Sequence, residues 1–298
     1  MSTNAKPEAP AAAAPKAGIV WIASFPKSGN TWTRTFLHNL LQIQAGEDGA
    51  PRINEMNRFS TWDVNRKHYE DMLGYAPGPH DRQAVAATRP RVQQQIADAN
   101  DGIVFIKTHH ALVMDRGHSA INFAVTSGAI YIVRNPLDVA ISYAHHLDCP
   151  VDLAIEMMAT ENLETDITDK AVYEVCGSWS QHVWSWTRKP HRTIHVMRYE
   201  DMLAAPHQTF AALARHLLFD CNSDQIGQAV DNSSFDKLRT QEEQEGFVEK
   251  PEVADRFFRE GRSGQWKERL TGDQINRIVR DHGEQMQRFG YLQQGRPI

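Results

Sequence analysis

Three short stretches of the chain carry side chains that could bind and transfer an anionic group. Ser24-Phe-Pro-Lys-Ser-Gly-Asn-Thr-Trp32 combines a glycine with a lysine and hydroxyl groups. Lys107-Thr-His-His110 places a cation two residues before a histidine, and an imidazole can accept a proton near neutral pH. Arg134-Asn-Pro-Leu-Asp-Val-Ala-Ile-Ser142 offers a guanidinium, which pairs with phosphate through two nitrogens, and a hydroxyl.

Each of these stretches follows an apolar run that is typical of a buried parallel strand. The predicted strands are residues 18–24, 102–107, 129–133 and 193–197, and the predicted helices begin at residue 31 or cover 136–146 and 208–218. Asn135 suits a helix N-cap, and Pro136 suits the first helical position. Strands that alternate with helices predict one α/β domain, residues 18–298, with a central parallel sheet flanked by helices.

The loop after the first strand is expected to bind an anion. Ligands of an open parallel sheet lie beyond the carboxyl ends of its strands, and a helix N-terminus attracts negative charge. Lys27, Ser28 and Thr31 can add side-chain donors. The Walker A pattern GxxxxGK[ST] is the obvious comparison, but Asn30 stands where that pattern has its lysine. The lysine lies within the loop instead, as Lys27, which argues against a P-loop nucleotide kinase or NTPase. That class stays an alternative because it shares the start of strand, loop and helix.

Composition excludes several other classes of protein. The 298 residues include 32 Lys and Arg against 37 Asp and Glu, a net charge of −5, so a nucleic-acid partner is not expected. Three widely spaced cysteines without CxxC predict neither a disulfide framework nor a zinc site, and fourteen histidines without HExxH predict no metal. No apolar run is long enough for a membrane helix or a signal peptide. We expect a cytoplasmic protein with a disordered tail at residues 1–17.

A family resemblance is carried by the same stretches. Pro26-Lys-Ser-Gly-Asn-Thr-Trp32 resembles the 5′-phosphosulfate loop of the cytosolic-type sulfotransferases, which use 3′-phosphoadenosine 5′-phosphosulfate (PAPS). Arg134 to Ser142 resembles the family's 3′-phosphate segment, and Arg259-Glu-Gly-Arg-Ser-Gly-Gln-Trp-Lys267 resembles its C-terminal loop. The matches follow family order from about residue 18 to 269, and the chain is identified as a soluble, bacterial-like member.

The resemblance implies roles for individual residues. His109 would be the base, Lys27 would stabilise the leaving phosphate, and Lys107 would be the second cation at the sulfonate. The implied donor-binding residues are Lys27, Ser28, Gly29, Asn30, Thr31, Trp32, Arg134, Ser142, Tyr199, Ser233, Phe235, Arg259 and Gly261. The residues expected to face the acceptor are Phe25, His110, Tyr143 and His146.

The chain also departs from the family pattern. Glu260 replaces a lysine beside the 3′-phosphate, so we expect it to point away and Arg262 to compensate. Gln265 replaces an aspartate. His110 stands where the family has an apolar residue, which leaves open which histidine is the base. Neighbouring side chains in extended backbone point in opposite directions, so only one should face the donor.

The implied reaction moves a sulfonate from PAPS to a hydroxyl of a small molecule such as a phenol, an alcohol or a steroid, and leaves 3′-phosphoadenosine 5′-phosphate (PAP). Residues 46–99 and 240–258 are expected to form the acceptor wall, with a mobile segment at 242–262. The alternatives are the kinase or NTPase and a catalytically inactive PAP-binding protein. The family's dimer motif is only half kept, as Lys267, Thr271, Gly272 and Asn276, so monomer or homodimer is left open.

Overall fold

The central feature is a parallel sheet built from five strands. The computed structural model describes residues 18–47, 52–250 and 255–298. The predicted tail at residues 1–17 lies outside the described residues. In chain order the strands are β1 (Gly18–Ser24), β2 (Ser60–Trp62), β3 (Ile103–Thr108), β4 (Met114–Asp115), β5 (His118–Ser119), β6 (Thr126–Val133), β7 (Ile194–Arg198), β8 (Leu292–Gln293) and β9 (Arg296–Pro297). The sheet order is β2-β3-β1-β6-β7, and every neighbouring pair is parallel. The strands of the described residues also include β4, β5, β8 and β9, which form two separate two-stranded sheets.

Helices cover both faces of this sheet. They are α1 (Asn30–Gln44), α2 (Met56–Phe59), α3 (Arg66–Leu73), α4 (Arg82–Asp98), α5 (Pro136–Leu147), α6 (Val151–Ala159), α7 (Trp179–Thr187), α8 (Tyr199–Ala204), α9 (Pro206–His216), α10 (Ser223–Asn232), α11 (Phe235–Glu245), α12 (Trp266–Arg269) and α13 (Gly272–Arg288). Asn135 caps α5 by accepting a hydrogen bond from the backbone N–H of Leu137, as its position before Pro136 predicts.

The first strand is apolar throughout because it is buried on both faces. Trp21 and Ala23 belong to one core cluster, which also holds side chains of α4, α5, α7 and α13. Val20 and Ile22 belong to the other, which holds side chains of α1, α9 and α10. Alternation of side chains along a strand produces this division. The sheet is therefore packed between two helical layers.

The carboxyl ends of the three central strands meet at one edge. Ala23 of β1 pairs with Thr108 of β3, and Ser24 pairs with Ile132 of β6. The loops that begin after Ser24, Thr108 and Val133 therefore start side by side. These are the three stretches in which the sequence places its reactive side chains.

The predicted α/β fold with a central parallel sheet is confirmed, and each predicted strand is present with ends shifted by up to three residues. The edge strand β2 was missed because three residues are too few to show a period. Among the described residues, no helix has the length and apolar character needed to cross a membrane. The division into tail and domain, the cytoplasmic location and the oligomeric state stay predictions.

Candidate active site

The loop between β1 and α1 has two residues in the left-handed backbone region. Lys27 has φ 65° and Gly29 has φ 108°. A Cβ at position 29 would lie 2.8 Å from Cδ2 of Tyr199, so only glycine lets the loop pack on that ring. Asn30 donates a hydrogen bond from Nδ2 to the carbonyl of Ile22 at 2.7 Å and ties the loop to β1. The Oγ of Ser28 is buried with no hydrogen-bond partner among the described residues.

Lys27 is surrounded by other cations. Its Nζ lies 4.1 Å from the centre of the Phe257 ring. Burial, followed by the charges of Arg134, Lys107 and Arg259, lowers the pKa of Lys27 to about 7 against the opposing charge of Glu242. A bound anion would therefore offset the repulsion between the ammonium of Lys27 and the neighbouring cations.

His109 is held in one tautomer. Its Nδ1 lies 2.7 Å from the carbonyl oxygen of Ser24, which only accepts hydrogen bonds, so Nδ1 carries the proton and Nε2 is free to accept one. The backbone N–H of His109 donates to Oε1 of Glu174 at 2.6 Å. Burial, followed by the charge of Lys107, holds the pKa of His109 well below 6.5, so the ring is neutral at physiological pH.

The neighbouring His110 points into the protein core. It is fully buried, and its Nδ1 accepts a hydrogen bond from the backbone N–H of Val175 at 3.0 Å. Its carbonyl accepts from Nε1 of Trp186. Burial lowers the pKa of His110 well below 6.5. The structure thus separates the two histidines, and it does not bring His110 to the cluster of Lys27 and His109.

The ammonium of Lys107 forms an ion pair that the sequence motifs did not predict. Its Nζ lies 3.1 Å from Oε2 of Glu249 and 5.2 Å from the centre of the Trp62 ring. Glu249 also pairs with Arg34 of α1 at 2.8 Å. The lysine is half-buried, and its charge acts on both Lys27 and His109.

Arg134 links the first loop to the C-terminal loop. It is 6% exposed and donates to the carbonyls of Lys27 at 3.0 Å and Arg262 at 3.2 Å. Its guanidinium carbon lies 4.3 Å from the centre of the Tyr199 ring. Its Nε is buried without a hydrogen-bond partner in the described part of the chain. Ser142 is half-buried one turn and a half into α5.

The carboxylate of Glu260 lies between two arginines of the C-terminal loop. It accepts hydrogen bonds from Arg259 at 2.5 Å and from Arg262 at 2.8 Å. That Glu260 points away from a bound 3′-phosphate, and that Arg262 compensates for it, stays a prediction. Arg259 also donates to Oε1 of Gln265 at 2.7 Å, so the residue that replaces the family's aspartate orients the arginine.

Aromatic rings gather beside these loops. Trp32 meets Tyr199 edge-on, with ring centres 6.0 Å apart. Gly261 has φ 60°, and a Cβ there would lie 2.3 Å from the Phe235 ring, so this glycine permits a close approach. Ser233 differs from the rest, because its buried hydroxyl donates to the carbonyls of Ala229 and Val230 inside α10.

The other side chains that the sequence assigns to the acceptor differ in how deeply they are buried. Phe25 and Tyr143 are buried and meet edge-on, with ring centres 6.0 Å apart. His146 is half-buried and faces the edge of Phe257 at 6.5 Å. Burial, then the charges of Lys27 and Lys107, lowers the pKa of His146 to about 3, so it presents a neutral ring.

Comparison with known proteins identifies the family. The family model described as a sulfotransferase domain matches residues 18–290. The chain belongs to the sulfotransferase family. It is 24% identical over 276 residues to a flavonol 3-sulfotransferase of Flaveria bidentis, covering 87% of this chain and 78% of the relative. It is 23% identical over 278 residues to an amine sulfotransferase of Oryctolagus cuniculus, covering 91% and 81%.

Solved structures show that the sulfotransferase shares their fold. A retinol dehydratase in a complex with retinol and PAP superposes with a TM-score of 0.63 at 18% identity, covering 92% of this chain and 82% of that chain. A mouse sulfotransferase complexed with PAP superposes with a TM-score of 0.59 at 17% identity, covering 91% and 84%. The prediction of a sulfotransferase enzyme is confirmed.

Several residues of this sulfotransferase site had no signal in sequence motifs. The carboxylate of Asp138 accepts hydrogen bonds from the backbone N–H groups of Gly264 at 2.7 Å and Trp266 at 3.2 Å. It thereby anchors the C-terminal loop to α5. Glu174 and Glu249 are likewise brought in from distant segments. Among the described residues, no group of three or more His, Cys, Asp and Glu side chains is arranged to hold a metal ion.

Proposed function

We propose that this enzyme transfers a sulfonate from PAPS to a hydroxyl of a small-molecule acceptor, giving a sulfate ester and PAP. One observation carries the proposal: His109 is fixed by Ser24 in the tautomer of a base, within electrostatic reach of Lys107. A neutral imidazole beside cations suits the removal of a proton from a hydroxyl that attacks an anionic donor.

The residues present fit the donor. The unpartnered Oγ of Ser28 and Nε of Arg134 are buried polar atoms of the kind that a ligand completes. Lys27 and Ser28, with the N-terminus of α1, would bind the 5′-phosphosulfate, and Arg134 and Arg259 would bind the 3′-phosphate. Phe235 and Trp32 offer faces for the adenine. When bound, PAPS supplies an activated sulfonate on a phosphate leaving group.

The chain's own residues would then divide the work. His109 takes the acceptor proton on Nε2 as the acceptor oxygen forms its bond to sulfur. The bond from sulfur to the bridging phosphate oxygen breaks, and its electron pair remains on that oxygen. Lys27 stabilises the negative charge that develops on the bridging oxygen, and Lys107 stabilises the sulfonate as it is transferred. Positioning and charge stabilisation supply most of the rate in such group transfers.

The acceptor is proposed as a small hydroxyl compound such as a phenol, an alcohol or a steroid. Phe25, Tyr143 and His146 would present apolar and neutral surfaces to it, and relatives are named for a flavonol and for retinol. The amine sulfotransferase among the relatives adds amines to the panel that an acceptor screen should include.

Thermal unfolding tests the donor directly, because a ligand that binds only the native state stabilises it. At a hundredfold excess over its dissociation constant, PAP is expected to add about 2.7 kcal/mol to the free energy of unfolding. ATP with magnesium serves as the comparison. Stabilisation by PAP alone supports the proposal and leads to a screen with labelled PAPS. Stabilisation by ATP and magnesium alone would favour the kinase or NTPase, and PAP binding without turnover would favour an inactive PAP-binding protein.

Glu260 is expected to weaken the binding of the 3′-phosphate of PAP. Its carboxylate already occupies Arg259, so the phosphate must compete with it. Glu260→Lys should lower the Kd for PAP roughly tenfold and leave the Kd for adenosine 5′-phosphate nearly unchanged, because only PAP carries a 3′-phosphate. Isothermal titration calorimetry of both ligands measures the two values.

The matched control for that experiment is Glu268→Lys, which makes the same charge change at an exposed neighbour of Arg262. It should affect both ligands little, because exposed ion pairs contribute weakly. Equal tightening of PAP and adenosine 5′-phosphate by Glu260→Lys would mean that the effect is a general field and not competition at the 3′-phosphate.

A further inference from the structure

A chain of charged contacts connects three distant segments behind Lys107. Nε of Arg34 donates to Oγ of Ser60 at 2.7 Å, and its NH1 lies 2.8 Å from Oε1 of Glu249. Nζ of Lys107 lies 3.1 Å from Oε2 of the same carboxylate. The two oxygens of Glu249 therefore bridge a guanidinium on α1 and an ammonium on β3.

The bridge is held firmly because it is largely removed from water. The side chain of Arg34 is 2% exposed and that of Glu249 is 18% exposed. Burial alone would raise the pKa of Glu249, but the charges and hydrogen bonds of Lys107 and Arg34 lower it to about 2. Breaking one member of such a buried pair leaves the other uncompensated, which is far more costly than losing a surface pair.

The position of the Lys107 ammonium depends on a small number of contacts. A lysine is a point charge on four flexible carbons, and a guanidinium is a rigid fork, so the lysine needs neighbours to define its position. The described contacts of this ammonium are the carboxylate of Glu249 and the ring of Trp62, 5.2 Å from its centre.

We propose that Glu249, held by Arg34, is a positioning residue that fixes the ammonium of Lys107 beside the sulfonate during transfer. This rests on the proposed function, in which Lys107 contacts the sulfonate. Arg34 offsets the negative charge that Glu249 brings to the site, so the carboxylate adds little net negative charge beside the donor. The carboxylate of Glu249 orients the ammonium of Lys107 without cancelling its attraction for the sulfonate.

The test begins with Glu249→Gln, which keeps the size of the side chain and removes its charge. We expect kcat with PAPS to fall about 10- to 100-fold, the range seen when a catalytic group is displaced by about an ångström. The Kd for PAP should change less than about twofold, because PAP has no sulfonate for Lys107 to contact. Glu249→Asp keeps the charge on a shorter stem, so its kcat should lie between those of the wild type and Glu249→Gln.

A matched control lies on α6. Glu156 is exposed, and its carboxylate lies 3.5 Å from Arg277. Glu156→Gln makes the same charge change at a glutamate that pairs with an arginine, and it should leave both kcat and the Kd for PAP unchanged. An equal loss of kcat in Glu156→Gln and Glu249→Gln would overturn the proposal, since it would trace the effect to the loss of one negative charge and not to the contact with Lys107.

A double-mutant cycle decides whether Glu249 acts through Lys107. In a Lys107→Met background, Glu249→Gln should lower kcat by less than about twofold further, because the group that it positions is gone. The same loss in both backgrounds, or a loss of PAP affinity as large as the loss of kcat, would overturn the proposal in favour of a structural role. A wild-type chain that turns over no acceptor would instead overturn the proposed function and this inference with it.

Discussion

Replacement of His109 by alanine is expected to lower kcat by roughly 10²- to 10⁴-fold, the usual contribution of a general base. The structure gives the reason: the hydrogen bond between Nδ1 and the carbonyl of Ser24 leaves Nε2 as the proton acceptor. The Kd for PAP should change little, because the base acts on the acceptor. Single-turnover kinetics with labelled PAPS and calorimetry with PAP measure the two quantities.

His110→Ala is the matched control for that experiment. His110 is fully buried and accepts the N–H of Val175, so its loss leaves a buried donor unpaired. We expect a decrease of about 1–3 kcal/mol in the free energy of unfolding and a near-normal kcat in the molecules that remain folded. An active His109→Ala enzyme, or an inactive but stable His110→Ala enzyme, would contradict the assignment of the base.

The second large effect is expected at Lys27. Lys27→Met should lower kcat about 10²- to 10³-fold, comparable to losing one donor at a developing oxyanion. Methionine keeps the apolar stem that packs against Phe257, so the loop conformation should survive. The Kd for PAP should rise far less than kcat falls, because the charge on the bridging oxygen develops only in the transition state. Equal losses in both would make Lys27 a binding residue only.

The pH dependence provides an independent check on Lys27. Its pKa of about 7 in the free chain means that the ammonium loses its proton as the pH rises through neutrality. kcat/KM for PAPS should therefore fall above about pH 7, since this quantity reports groups of the free enzyme. The limb in kcat should lie at higher pH, because the negative donor favours the protonated lysine. Lys27→Arg should remove the limb, as guanidinium stays protonated; an unchanged limb would assign it to another group.

Much of the fold was readable from local pattern. The apolar run from Gly18 to Ser24 predicted a strand buried on both sides, and Asn135 with Pro136 predicted the start of α5. Such signals act between residues close in the chain, through side-chain period and backbone preference. Strand β2 was not predicted, because its three residues pair with β3 through long-range hydrogen bonds and carry no sequence pattern of their own.

The same distinction holds within the candidate site. That Lys27, His109 and Arg134 stand at the ends of parallel strands was determined by sequence alone, because every such end lies at one edge of a sheet. Which way each side chain turns was decided by tertiary structure. Glu249 reaches Lys107 across 142 positions in the chain, and Gly264 reaches Asp138 across 126.

These long-range pairings could not be inferred from residue types. Glu260 shows why: a carboxylate beside arginines can turn to water or to either guanidinium, and the choice depends on how the loop packs. Alternation in extended backbone predicted that only one of the two histidines would face the donor, and contacts with Val175 and Trp186 from distant segments decided that His110 is the buried one. The sequence alone determined the reactive groups and the sheet edge that carries them. Packing between distant segments decided their orientation, because burial and charge are summed over neighbours that only the folded chain brings together.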